Sequence, residues 1–357
     1  MSLASELEGA LLACGSGDAP LDFESWALRS FAHQFEHNAP YRASCERRGI
    51  TPERAGTWRD VPAVPTAAFR HVDLTCGPPE AVFRTSGITG GAAARGRHLV
   101  PHLSLYKAAA LTTFARHLVP DDARLRCLFL LPPPELRADS SLVQMCAWVG
   151  ERFGSGIEWF VDANGLDVAR LTERLHQLAA SGECVLVAGP TAGFERLFGS
   201  GETFRLGPAS RLMDTGGTKG MTRPLSRPGF LRACWSRLGI PGYFCVNEYG
   251  MTELCSQRYD SVLRDRVAGR SLDRRRLVGP PWLRTRVLDP DTLAEVPAGQ
   301  PGLLCHHDLA NLGSVSVVLT EDLGRAVDDD GIVVTGRVTG APPRGCGQLL
   351  DDVVPCR

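Results

Sequence analysis

Lysine is almost missing from this chain: among 357 residues only Lys107 and Lys219 carry an amine, and the remaining positive charge is arginine. The 39 basic residues face 40 acidic ones, for a formal net charge of −1. Such a balance gives no electrostatic footprint for nucleic acid or for an anionic membrane surface. No apolar run approaches the ~20 residues that a membrane span requires. The start, Met1 to Glu8, is acidic and lacks the apolar stretch of a secretory signal. None of the 12 cysteines falls in a Cys-x-x-Cys pair, which excludes zinc-ribbon and thioredoxin-like patterns. Internal repeats, low-complexity linkers and a Walker-type Gly-Lys-Ser/Thr ending are also lacking. The expectation is a cytoplasmic protein with reduced thiols, most of them small buried hydrophobes, that engages neither nucleic acid nor membrane.

With 43% hydrophobic residues, the chain can bury a substantial core in one large domain or two average ones. Leu3, Leu7, Leu11 and Leu12 recur at helical spacing before Gly15 and Gly17, and a second helix is predicted from Phe23 to His37, ending near Asn38-Ala39-Pro40. Helical and apolar strand patterns then alternate: helix 103–118, strand 125–131, helix 141–153, strand 157–160, helix 167–181 and strand 184–188. That alternation implies parallel strands with crossover helices, whose carboxyl ends are where ligands bind. From residue 283 the texture changes to short β segments, at 283–288, 302–305, 315–319 and 331–335, as in an antiparallel or barrel-like portion. The arginine-rich stretch 264–276 reads as a solvated surface segment.

Four pieces carry chemistry. The most informative is Asn247-Glu248-Tyr249-Gly250-Met251-Thr252-Glu253-Leu254. Tyr249 offers a flat ring for adenine, Gly250 close backbone approach, Thr252 a hydroxyl for phosphate, and Glu253 a carboxylate for a hard cation such as magnesium. The plain alternative is a strand end followed by a polar turn. Phe83 to Gly91 packs hydroxyls and glycines into a loop suited to an anion, or into an ordinary turn. The third piece is Leu212 to Lys219, an apolar run entering Gly216-Gly217; the fourth is Thr320 to Arg325 followed by Val334 to Arg337.

In order and spacing these pieces resemble the adenylate-forming superfamily of acyl-activating enzymes. Within it the chain is most similar to the acyl-protein synthetases, the LuxE family. Carrying features are Val64-Pro65-Thr66 through Phe69-Arg70, Asp139 to Met145, Glu248 to Gln257, and Arg344-Gly345-Cys346. The resemblance implies an α/β fold, the large domain of adenylate-forming enzymes with a β-rich C-terminal part and without the usual small C-terminal domain. It divides the chain into a helical cap (1–60), the adenylate-forming domain (61–337) and a short tail (338–357).

The implied cofactors are ATP and Mg²⁺. Thr85, Ser86, Gly87, Thr89 and Gly90 would serve the phosphates, and Gly216, Gly217, Asn247, Tyr249, Gly250 and Thr252 the nucleotide. Glu253 would hold magnesium, and Asp322 with Arg337 the ribose side. Lys219 would contact phosphate or the acid's carboxylate, with a surface lysine as the plain alternative. Cys346, beside Arg344 and between Gly345 and Gly347, would be the acyl-accepting thiol on a segment free to swing, its thiolate favoured by the arginine. Cys356 is the competing thiol. The chain departs from the superfamily at Ile88, where a threonine is common, and at Ala92 to Arg97, where a lysine is common; Arg95 or Arg97 could compensate.

The leading expectation is an acyl-protein synthetase that takes a fatty or aromatic acid through acyl-adenylate and cysteine thioester to a protein acceptor, a reductase subunit or acyl carrier protein. An acyltransferase drawing on acyl-CoA is the second reading, favoured by Ile88. A non-catalytic acyl- or nucleotide-binding subunit of a reductase complex is the third.

Overall fold

The computed structural model describes residues 2–85, 95–216, 225–272, 274–328, 331–338 and 344–354. Two compact units are present. The first gathers Met1–Thr113, Met251–Gln257 and Val278–Arg357, and the second Phe114–Gly250 and Arg258–Leu277.

In the first unit the helix Leu3–Ser16 is capped by the Ser2 hydroxyl, which accepts the Ser5 N–H at 3.2 Å, and buries Leu7 and Leu11. Asp22 caps the helix Phe23–His37, as the periodicity predicts. The Asn38-Ala39-Pro40 stop is also a start. Asn38 Oδ1 accepts the Tyr41 N–H at 3.2 Å, and a further helix, Ala39–Arg47, begins with Pro40 in its first turn, where no N–H is needed. Buried Gln34 and Asn38 fasten these helices to the 311–316 loop of the same unit.

Four antiparallel strands, Leu283–Leu288, Gly302–Asp308, Val317–Ala326 and Gly331–Arg337, pair in chain order, and Val64–Pro65 adds in parallel along Val317–Ala326. Their core side holds Val64, Phe69, Leu303, Cys305, Val318 and Leu319 with Tyr41. The C-terminal helix Arg344–Val353 packs into this same core through Cys346, Leu349 and Val353.

The second unit is the α/β part. Five strands lie parallel in the order Cys245–Tyr249, Arg211–Thr215, Val185–Pro190, Leu125–Phe129 and Gly154–Trp159, with Arg258–Asp260 antiparallel outside Cys245–Tyr249. Val185–Ala188 and Arg211–Thr215 are buried throughout, as strands covered on both faces must be. The crossover helix Val168–Ser181 starts on the Asp167 cap and turns Leu171, Leu175 and Leu178 into the core, each worth about 2 kcal/mol of apolar burial.

The 264–276 stretch is largely exposed, as expected of a surface segment, but its two ends are anchored. Its arginines close on two buried carboxylates: Arg264 and Arg276 reach Asp265 at 2.8 and 3.5 Å, and Arg275 reaches Asp260 at 2.5 Å. The acidic partners lie inside the fold, and the charge pattern alone did not show that. Eight of the eleven described cysteines are buried, and none of the eleven is in a disulfide. No helix among the described residues is long and apolar enough to cross a membrane.

Candidate active site

The motif at 247–254 straddles the boundary of the two units, Asn247 to Gly250 belonging to the second and Met251 onward to the first. Each half is built separately.

In the second unit, strand register aligns Pro190 with Thr215 and Thr215 with Glu248, so the carboxyl ends of three parallel strands finish together. Asp214 is 2% exposed. Its carboxylate accepts Arg227 Nη1 at 2.7 Å on both oxygens, Asn247 Nδ2 at 2.9 Å and the Thr191 hydroxyl at 3.4 Å. The Asn247 amide nitrogen is therefore engaged by Asp214. Alternation along the strand turns Glu248 the other way, into the interior, where the Thr215 hydroxyl donates to it. Burial pushes the Glu248 carboxyl up to about 7; the Thr215 bond opposes this and the Asp214 charge adds to it. Tyr249 is half-buried at the strand end. Gly216 holds φ 74° with open space where a Cβ would stand, so the left-handed backbone itself selects glycine. Gly217 and Lys219 lie outside the described residues.

In the first unit, Ala81–Arg84 and Arg97–Val100 form a hairpin whose loop begins at Thr85. Thr85 closes the base: its N–H donates to the Gly96 carbonyl at 3.0 Å and its hydroxyl accepts the Gly96 N–H at 2.9 Å. Arg95 is drawn onto the Thr85 carbonyl at 2.5 Å, and Arg97 pairs with Asp73 at 2.7 Å. Both arginines are thus bound to the protein's own groups. Ser86, Gly87, Ile88, Thr89 and Gly90 lie outside the described residues.

Glu253 is 8% exposed, and burial pushes its carboxyl up to about 7. Its own backbone N–H and the charges of Arg337 and Arg70 oppose the shift, while Asp322 reinforces it. Strand register sets Asp322 opposite Arg337, and the guanidinium lies 3.9 Å from Asp322 and 2.7 Å from Glu321. The structure therefore brings Glu253, Asp322 and Arg337 together from distant parts of the sequence. Among the described residues no group of three or more His, Cys, Asp or Glu could cage a metal. A single buried carboxylate with a second one nearby suits magnesium, which is bound mainly through substrate phosphates and water.

Cys346 departs from the swinging segment expected. Residues 344–353 are helical because Cys346, Leu349 and Val353 share one face, and that face is in the core. Cys346 is 7% exposed, and burial pushes its thiol up to about 11, with Glu321 and Cys305 adding to the effect. Gly345 lies so close to the 289–293 turn that a Cβ would stand 2.7 Å from the Leu293 side chain. At the other end of the helix, the Asp352 carbonyl accepts Arg47 Nε at 2.9 Å. Cys356 lies outside the described residues.

Sequence reasoning missed Asp214, Arg70, His98 and Asn311. Asp214 and Arg70 lie in segments that stood out but received no role, while His98 and Asn311 carry no motif; the partners of all four lie elsewhere in the chain.

Comparison with solved structures places this architecture. The chain is similar to 2-hydroxyisobutyryl-CoA ligase in its postadenylation state in complex with 2-HIB-AMP, at 16% identity and TM-score 0.66, covering 94% of this chain and 68% of that one. An open conformation of that ligase in complex with 2-HIB-AMP and CoA gives TM-score 0.63, over 88% and 73%. A luciferase-like enzyme from the nonluminescent Zophobas morio mealworm gives 0.51 at 13% identity, over 73% and 58%. These likenesses show the fold, an α/β architecture shared with those enzymes.

Among characterised proteins, the long-chain-fatty-acid–luciferin-component ligase of Vibrio harveyi is 23% identical over 336 residues, 89% of this chain and 84% of that protein. The family model for acyl-protein synthetase, LuxE, matches residues 18–354, and the chain belongs to that family. It is an enzyme, a ligase.

Proposed function

We propose that this ligase activates a long-chain carboxylic acid with magnesium and ATP, then passes the acyl group through Cys346 to a partner protein. The name of the Vibrio harveyi relative supports a long-chain fatty acid as the substrate class. A reductase subunit or an acyl carrier protein is the proposed acceptor.

In the first step a carboxylate oxygen of the acid bonds to the α-phosphorus of ATP as the bond to the β-phosphate bridge breaks and pyrophosphate leaves. In the second, the Cys346 sulfur attacks the acyl carbonyl, the thiol proton passes to water, and AMP leaves. Such chemistry asks the protein mainly to position reactants and to stabilise charge on phosphoryl oxygens. Glu253 is assigned the magnesium, which when bound neutralises that charge. Thr85, Ser86, Gly87, Thr89, Gly90 and Thr252 are assigned the phosphates, and Lys219 a phosphate or the acid's carboxylate. The adenine side falls to Gly216, Gly217, Asn247, Tyr249 and Gly250. The ribose side falls to Asp322 and Arg337.

The observation that carries this reading is Glu253, a buried carboxylate that feels the charges of Arg337 and Asp322 and is poised to ionise near neutral pH. The test is acid-dependent pyrophosphate exchange across a panel of fatty and aromatic acids. Exchange with long-chain acids is expected. No exchange with any acid, together with transfer of label from acyl-CoA, would replace this reading by the acyl-CoA-dependent one.

A further inference from the structure

Residues 252–256 are held by side chains that lie outside the motif. His98, 1% exposed on the Arg97–Val100 strand, donates from Nδ1 to the Thr252 carbonyl at 2.7 Å. A carbonyl can only accept, so Nδ1 carries the proton. Nε2 of the ring lies 2.9 Å from Asn311 Oδ1, itself an acceptor, so this contact is a hydrogen bond only when the ring carries a second proton, which burial opposes; Phe69 meets the ring edge-on at 5.8 Å. The Asn311 amide nitrogen donates to the Glu253 carbonyl at 2.9 Å and to the Val315 carbonyl at 2.8 Å.

Farther back, Gln34 Nε2 donates to the Asn311 and Leu312 carbonyls at 3.0 and 3.1 Å, and its Oε1 accepts the Ser316 N–H at 3.1 Å. Asn38 donates to the Ser314 carbonyl at 3.1 Å. Downstream, Asp308 accepts the Cys255 N–H at 2.9 Å and the Ser256 hydroxyl at 2.7 Å. Every side chain in this chain of contacts is buried. The donor–acceptor pairs onto the Thr252, Glu253, Cys255 and Ser256 groups hold this backbone in place, because releasing one leaves a buried polar group without a partner.

We infer that His98 and Asn311 are positioning residues, fixing the Thr252 and Glu253 backbone so that hydroxyl and carboxylate meet phosphate and metal. The inference rests on the roles proposed above for Thr252 and Glu253. Both residues are buried, and each acts through the carbonyl of a residue whose own side chain is assigned the phosphate or the metal. Misplacement of a reacting group by about 1 Å costs on the order of a hundredfold in rate, so small releases here are readable.

Two isosteric variants separate positioning from packing. Asparagine at 98 sets an amide nitrogen near the position of Nδ1, and glutamine sets it near Nε2. The full chain is assayed by pyrophosphate exchange with hexadecanoic acid at varied MgATP, and by hydrogen–deuterium exchange of peptides covering 249–258. His98→Gln is expected to raise KM for MgATP and lower kcat, each roughly tenfold, and to speed amide exchange in 251–257. His98→Asn is expected to recover most of both at a similar melting temperature.

Equal behaviour of the two variants, or unchanged amide exchange in His98→Gln, overturns the inference. If the wild type exchanges no pyrophosphate with any acid, the functional reading fails and the amide-exchange comparison alone decides the positioning role. If His98→Gln does not fold, Asn311→Asp replaces it, since it loses the donor to Glu253 while keeping an oxygen toward His98. The same losses are then expected, and their absence overturns the inference.

Discussion

Arg227 reaches both carboxylate oxygens of Asp214 at 2.7 Å, and Asn247 closes on that carboxylate from the neighbouring strand. The ion pair ties the helix Arg227–Ala233 to the Arg211–Thr215 strand, and the Asn247 bond ties in the neighbouring strand. Removing one partner of a buried pair leaves an uncompensated charge, which costs about 3 kcal/mol. Arg227→Leu should therefore unfold at clearly lower urea, with loss of activity. An unchanged urea midpoint would show that Asn247 and Thr191 suffice for Asp214.

Glu248 makes stability depend on pH. Its folded carboxyl titrates near 7, above the ordinary 4.5, so the folded state holds the proton more tightly than the unfolded one. Stability then declines as pH rises from about 4.5 to 7 and levels off above that. Glu248→Gln keeps a partner for the Thr215 hydroxyl and removes the slope. Relative to wild type it should gain on the order of 2–3 kcal/mol between pH 4.5 and 8. Parallel denaturation curves for the two proteins across that range would refute this.

Glu253→Gln preserves shape and removes charge. Metal-dependent adenylation should fall roughly a hundredfold or more while the fold survives. Full pyrophosphate exchange by a folded variant would take the magnesium away from this residue.

Cys346 should be slow to alkylate in the resting protein, because its thiol is buried and its pKa raised to about 11. Gly345→Ala forces a methyl group against Leu293 and should loosen the helix, at a cost of about 1–3 kcal/mol. Alkylation of Cys346, followed by mass spectrometry, should accelerate in that variant. Supplied with acid, ATP and magnesium, the wild type should carry a hydroxylamine-labile acyl group on Cys346, and Cys346→Ser should carry none. An acyl group found on Cys356 would reassign the acceptor.

Much of this molecule was legible in its sequence, and the reasons are local. Phe23–His37, Leu103–Leu118 and Ser141–Phe153 follow apolar spacing whose ends coincide with caps and breakers, so their limits could be read directly. The 247–254 motif stood out because its residue types each suggest a distinct chemical use. The C-terminal helix was not: glycines and a lone cysteine suggested mobility, while the Cys346, Leu349 and Val353 spacing, which decides the outcome, is short and easily passed over. Partnerships between separate elements escaped entirely. Nothing near Gln34 announces that its amide will meet Asn311, and nothing near Arg227 names Asp214.

Gln34 sits in a stretch that a protein engineer would trim without hesitation, far from every motif. Its amide nevertheless anchors the loop on which Asn311 rests. The opening helices thus serve as a foundation rather than a wrapper. Truncated or fused versions of this chain should show the damage as a weakened grip on nucleotide before any loss of solubility reveals it.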